Sequence, residues 1–266
     1  MTPNQNTYFL ATGEQGEERL TLLNEMMGET SRQLLRKAGL TPGSNVLEVG
    51  CGIGLMTHWI AEQVGTKGHV TAVDFSREQL NIAKNNTAKL NNITFLESSV
   101  FDLVGLPQFD IIYTRFLLMH LTKPFEALQI MMRFLKPGGV MVCEEASNTV
   151  ACCYPRSPSC DKFYEWLMAL FAKNNLDPDF GGNIYSLFQK LNFHPIFATI
   201  VQPIYTERQK YMIPLSAQEL KPHLINHHIA TEPEIDQIIN DLKEMIKDNR
   251  YFISFLRTTQ IIGFKE

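Results

Sequence analysis

Val46-Leu47-Glu48-Val49-Gly50-Cys51-Gly52-Ile53-Gly54 is the stretch from which the rest of the chain is read. Its first half is apolar and β-branched, the pattern of a buried strand. It then breaks into glycines at 50, 52 and 54, and Leu55 to Val64 follows as a predicted amphipathic helix. Strand, glycine turn and helix in this order open a doubly wound α/β sheet, a fold that takes its ligand at the carboxyl ends of the strands. Glycine lets the backbone turn sharply and lets a ligand lie against it. The helix N-terminus adds unpaired N–H groups and a positive dipole end. The dinucleotide fingerprint G-x-G-x-x-G/A does not fit, because Leu55 or Thr57 stands where the third small residue is required.

The alternation continues outward from this turn. His69 to Asp74 reads as a second strand, and Ser76 is a fair N-cap for a helix over Arg77 to Leu90. Ile93 to Leu96 and Phe109 to Tyr113 follow as strands. Thr122 is expected to cap a helix with Pro124 in its first turn, where proline is tolerated. After the turn Lys136-Pro137-Gly138-Gly139, Val140 to Cys143 forms a fifth strand closed by Glu144-Glu145. Strands separated by helices of this length imply a parallel sheet with right-handed crossovers. Upstream, residues 1–13 read as a loose arm and Glu14 to Ala38 as a helix with Leu20, Leu23, Met27, Leu34 and Leu35 on one face. Downstream come helices at Ser159–Asn174 and Ile184–Leu191, a strand at Phe197–Ile204, helices at Leu215–His228 and Pro233–Asn249, and a last strand at Phe255–Phe264.

Composition excludes several classes. A net charge of −4 with no lysine- or arginine-rich run argues against nucleic acid as a partner. No apolar run reaches the roughly 20 residues of a membrane-spanning helix. Met1 to Thr12 is polar and carries no secretory pattern. Five cysteines, an odd number without framework spacing, suit a reducing cytoplasm. Cys152, Cys153 and Cys160 lack the C-x-x-C spacing of zinc sites and read as incidental thiols. His223 and His227 share a helix face, with His228 beside them, but no acidic partner lies between the first two, and they read as surface. No metal is expected, and the oligomeric state is left open.

The segments E-V-G-C-G-I-G, V-T-A-V-D-F-S, F-D-I-I-Y-T-R-F-L-L-M-H-L and L-K-P-G-G-V resemble class I S-adenosylmethionine-dependent methyltransferases, over about residues 40–145. R-F-L-L-M-H-L followed by L-K-P-G-G-V is similar to the branch that methylates small molecules. The N-P-P-Y signature of nucleic-acid methyltransferases is replaced by T-R-F-L. The resemblance implies an α/β fold with a mostly parallel seven-stranded sheet, its last strand antiparallel and inserted between the fifth and sixth. It implies an N-terminal arm and helix over 1–40, a cofactor-binding core over 41–204, a helical lid over 205–250 and the last strand in 251–266.

The resemblance also distributes roles. Gly50, Cys51 and Gly52 would lie against the methionine end of the cofactor, with Glu48 orienting the turn or favouring its positive charge. Asp74 would accept hydrogen bonds from both ribose hydroxyls. Ser99 and Val100 would face the adenine, with Phe75 and Phe101 stacking on it. Ser99 stands where many relatives carry an aspartate, and a hydroxyl accepts a weaker bond than a carboxylate; Asp102 could compensate. Arg115 would touch the cofactor or pair with a carboxylate such as Glu144.

Methyl transfer from a sulfonium needs alignment, desolvation and in some cases a base. The candidates for a base are His120, which titrates near neutrality, Tyr8 on the arm, and Glu144 or Glu145. Alternation along a strand turns one of these two glutamates toward the cavity and leaves open which. The aromatics Phe163, Tyr164, Trp166, Phe171, Tyr185 and Phe188 either line an apolar acceptor pocket or are plain core. The rival reading is a non-catalytic or regulatory protein that binds the same cofactor on the same fold.

Overall fold

A computed structural model describes residues 8–266. Of the expected arm over residues 1–13, residues 1–7 lie outside the described residues. The first half runs α1 (Glu14–Lys37), β1 (Asn45–Val49), α2 (Leu55–Val64), β2 (His69–Asp74), α3 (Arg77–Asn86), β3 (Ile93–Glu97), β4 (Phe109–Arg115), α4 (Pro124–Arg133) and β5 (Leu135–Ser147). The second half runs β6 (Cys153–Tyr154), α5 (Pro158–Lys173), α6 (Phe180–Lys190), β7 (Ile196–Val201), α7 (Met212–Asn226), α8 (Glu232–Met245), β8 (Phe252–Ile253) and β9 (Arg257–Phe264).

Seven strands form one sheet in the order β3-β2-β1-β4-β5-β9-β7. β1 to β5 are parallel, and β9 enters antiparallel between β5 and β7. This is the expected topology. β1 is central, and Val46 to Val49 are all buried, as a parallel strand covered on both faces requires. Successive residues face opposite layers. Leu47, Val49, Ile112 and Met141 pack into one apolar cluster, and Val46, Ile111, Val140 and Val142 into the other.

Local details differ from the sequence reading. Thr87 bonds its hydroxyl back to Ala83 O at 2.9 Å, and α3 ends at Asn86, short of Leu90. Such back-bonding by threonine competes with the helical ladder. The N-cap of α4 is Lys123, one residue after Thr122, and Pro124 follows it. The expected turn at 136–139 is a bulge within β5, since Phe109 pairs with Leu135 but Ile111 pairs with Val140.

Above the carboxyl edge of the sheet, α5 packs on α7 and α8, and α1 packs on α7. The roof therefore includes α5, which the sequence reading placed in the core. The two-stranded sheet of β6 and β8 and the bridge between Ile204 and Ser254 tie the roof to the start of β9. No helix among the described residues is long and apolar enough to cross a membrane.

Candidate active site

The carboxyl ends of β1 to β4 open onto a cavity of about 1520 Å³ of empty space, its solvent-open mouth included. The floor is built from the turns that follow these strands. The roof is built from the arm at 8–12, α1, α5, α7 and the segments at 205 and 255–256.

The floor starts at the glycine turn. Gly50, Gly52 and Gly54 have φ of 78°, 53° and 76°. A side chain in this left-handed region costs about 1–2 kcal/mol. The N–H groups of Gly50 and Cys51 donate to Val73 O at 2.8 and 3.0 Å, which locks the turn onto β2. The Gly52 N–H donates to Asp74 Oδ2 at 2.9 Å, and the Ser76 N–H donates to Asp74 Oδ1 at 2.9 Å. Asp74 is thus fixed between the turn and the start of α3, on the cavity wall. Burial raises its pKa against the lowering effect of these N–H groups. A Cβ on Gly52 would meet only Leu20, at 3.8 Å, so this face of the turn is open. A Cβ on Gly54 would sit 2.8 Å from Ala83 Cβ, where α2 and α3 press together.

Phe75, Ser99 and Val100 line the same wall. Ser99 Oγ accepts from the Phe101 N–H at 3.3 Å and keeps its own proton to donate. Phe101 and Asp102 do not line the cavity, which corrects their expected part in holding an adenine. Glu48 and Cys51 are also beneath the surface rather than on it. Glu48 accepts from Thr57 Oγ1 at 2.5 Å, and burial pushes its pKa up to about 7. It braces the strand under the turn.

Arg115 lines the cavity, and its guanidinium is held by α1: Nη1 donates to Ser31 Oγ at 3.1 Å and Nη2 to Asn24 Oδ1 at 3.2 Å. The ion pair with Glu144 considered from the sequence does not form. Glu144 is fully buried and accepts from Tyr113 OH at 2.6 Å and Gln260 Nε2 at 2.7 Å. It does not line the cavity, and so it is not placed to act as the base expected from the sequence. Glu145 does not line it either. Its carboxylate accepts from the N–H groups of Leu117, Leu118 and Met119 at 3.1, 2.8 and 3.2 Å, and burial pushes its pKa up to about 8. β5 is buried on both faces here, so alternation sends each glutamate into the interior.

The roof closes over His120. Its ring lies 4.9 Å from Tyr8, 5.8 Å from Phe9 and 6.5 Å from Phe171. Burial, with Arg19 nearby, pushes its pKa down to about 3, so the imidazole is neutral at pH 7. Arg19 Nη2 donates to Tyr8 OH at 3.0 Å, and Arg19 Nε meets Glu219 Oε2 at 2.7 Å. The Ala11 N–H donates to the same oxygen at 3.0 Å. Arm, α1 and α7 are therefore clasped by one buried ion pair, which the sequence reading missed. Phe116 is a second omission. It stands at φ 53°, its N–H donating to Glu144 O at 2.8 Å, and lines the cavity.

Of the aromatics singled out from the sequence, Phe163, Tyr164 and Phe171 line the cavity. Trp166 and Phe188 are core, and Tyr185 is on the surface. Among the described residues no cluster of three histidine, cysteine or acidic side chains is placed to hold a metal ion.

A methyltransferase-domain family model matches residues 40–199. The demethylmenaquinone methyltransferase of Staphylococcus epidermidis is 33% identical over 146 residues, 53% of this chain and 58% of that protein. The chain thus matches little more than half the length of that curated relative. The phosphoethanolamine N-methyltransferase 2 of Haemonchus contortus, solved with phosphomonomethylethanolamine and S-adenosylhomocysteine, superposes with a TM-score of 0.57 at 16% identity, over 89% of this chain and 52% of that one. The cyclase SpnF superposes with a TM-score of 0.55 at 18% identity, over 96% of this chain and 97% of that one. At such identities the two structures share the fold, and the fold hosts more than one chemistry.

Proposed function

The chain belongs to the methyltransferase-domain family, and from that membership we propose that it transfers a methyl group from S-adenosylmethionine to a small-molecule acceptor. One observation carries the reading: the side-chain-free face of Gly52 and the carboxylate of Asp74 line a cavity whose roof is mostly apolar. The residues fit the cofactor. Gly52 leaves room for its methionine end beside the backbone of Gly50, Asp74 has acceptor capacity for ribose hydroxyls, and Phe75, Ser99 and Val100 offer an apolar and hydrogen-bonding site for the adenine. Arg115 borders the same wall. When bound, S-adenosylmethionine supplies a methyl group already activated on a sulfonium.

The chain's own part is alignment and the exclusion of water. His120 is neutral and hard to protonate where it stands, Tyr8 OH already accepts from Arg19, and no glutamate lines the wall. We assign His120 and Tyr8 to shaping the cavity rather than to proton removal. The acceptor must therefore be nucleophilic without a strong base. Five free cysteines suit a reducing cytoplasm. The absence of a poised base also favours a second reading, a protein that binds the cofactor without transferring its methyl group.

Calorimetric titration with S-adenosylmethionine, S-adenosylhomocysteine and NADH tests the proposal. Micromolar binding of the first two and none of the third supports it. Failure of both to bind overturns it. Tight binding without turnover on any acceptor selects the second reading.

A further inference from the structure

Away from the arm and α1, the roof is apolar except for two tyrosines and Ser216 on α7. Tyr164 stands on α5 and Tyr205 on the segment between β7 and α7, and both line the cavity. Their rings are fixed by edge-on packing, Tyr164 against Phe163 at 5.2 Å and Tyr205 against Phe255 at 5.9 Å. Phe255 meets Phe116 at 5.9 Å, so Tyr205 is braced against the floor through two rings. The Tyr205 N–H donates to Ile253 O at 2.9 Å, which fixes its backbone. Among the described residues neither hydroxyl has a hydrogen-bond partner. Tyr205 is buried and Tyr164 half-buried, and neither hydroxyl is among the fully buried polar atoms, so each remains accessible to a hydrogen-bond partner. Burial raises both pKa values, so both hydroxyls keep the proton they would donate.

The charges around the cavity lie elsewhere. Its charged lining residues are Arg19, Asp74 and Arg115, and each is already bonded to protein groups. None of the lining residues on α5, α7 or the segments at 205 and 255–256 is charged. A charged ligand moved into this half would lose its hydration and gain no counter-charge.

We infer that Tyr164 and Tyr205 select the acceptor, donating hydrogen bonds to an oxygen of an uncharged, mostly apolar ring compound. The inference rests on the methyltransferase reading for the word acceptor, but the binding site stands on the tyrosines themselves. It separates this chain from a site for a zwitterionic phosphoester, which needs paired charges.

The probes are 1-naphthol, which carries one hydroxyl, and naphthalene, which carries none. Each is titrated into the full chain by fluorescence, with and without saturating S-adenosylhomocysteine. Wild type is expected to prefer 1-naphthol by about tenfold, the equivalent of one or two neutral hydrogen bonds. In Tyr164→Phe and Tyr205→Phe the preference shrinks. In the double variant it disappears while the affinity for naphthalene is unchanged. A preference that survives the double variant overturns the inference, as does failure of 1-naphthol to bind wild type. Displacement of 1-naphthol by phosphoethanolamine overturns the uncharged assignment. Titration of S-adenosylhomocysteine alone keeps the two readings apart. If it does not bind, the methyltransferase reading falls, and the naphthol series without it still decides the role of the tyrosines.

Discussion

The floor and the roof of the cavity are built from different materials. The floor is mostly backbone: a glycine turn tied to Val73 O, an aspartate bonded to two N–H groups, and a loop capped by Glu145. The groups that make it are close in sequence or lie on neighbouring strands. The roof is mostly side chains, brought together from the arm, α1, α5 and α7, and its polar fastening joins residues 200 positions apart. Backbone geometry offers the same surface whatever the flanking side chains are, which suits a ligand shared by a family. A roof of side chains changes with every substitution, which suits a ligand particular to one member.

The largest effect is expected where the roof is fastened. Arg19→Met strands the Glu219 carboxylate in a buried setting and should cost about 3–5 kcal/mol in stability. The double change Arg19→Met/Glu219→Met should recover most of that loss in urea unfolding. A double variant as unstable as the single one would mean that the pair contributes through packing rather than charge. In the floor, Gly54→Val forces a β-branched residue to φ 76° and against Ala83, and should cost about 2–4 kcal/mol. Asp74→Ala should weaken S-adenosylmethionine binding by about 2–4 kcal/mol through two lost bonds to a charged acceptor. Calorimetry that finds an unchanged dissociation constant removes Asp74 from the ribose site.

His120→Phe keeps the aromatic packing under the roof. Turnover should fall less than about tenfold, because general-base removal would cost roughly 10²–10⁴. A loss in that larger range at unchanged stability would restore His120 as the base. The smallest effect is on the pH dependence of stability. Glu145, raised to about 8, binds protons more readily folded than unfolded, so its contribution is complete below the unfolded value and declines as pH rises to about 8. Glu48, raised to about 7, acts in the same direction. His120, lowered to about 3, acts in the opposite direction, adding stability from about pH 3 to 6.5. Above pH 6.5 only the decline remains, at no more than about 1.4 kcal/mol per pH unit for each group. Unfolding midpoints from pH 6.5 to 8 should fall in wild type and flatten in Glu145→Gln.

The sequence was legible where spacing and turn chemistry carry the geometry, or where the family resemblance supplies it. The three glycines, Asp74 after the second strand and the antiparallel last strand follow from period, turn chemistry and family resemblance, and the structure places Gly50, Gly52, Asp74, Phe75, Ser99, Val100 and Arg115 on one wall. The burial of Glu144 is not legible in the sequence, because a strand buried on both faces hides alternate residues equally well, and partners such as Tyr113 and Gln260 are set by neighbouring strands. Arg19 follows two glutamates, the pattern of a solvated helix charge, and only the docking of α7 buries it. Phe116 carried no signal, since nothing in its neighbours announces a left-handed phenylalanine.

The Arg19–Glu219 pair also has a timetable. A chain made from its N-terminus at ordinary synthesis rates releases residue 219 on the order of 10–40 s after residue 19. By the end of that interval β1 to β5 have been made, and the parallel floor can assemble under the arm, α1 and α5 before α7 is complete. Arg19 waits on α1, hydrated and without its carboxylate. The clasp between α1 and α7 can therefore close only after residue 219 has been made, however early the floor assembles.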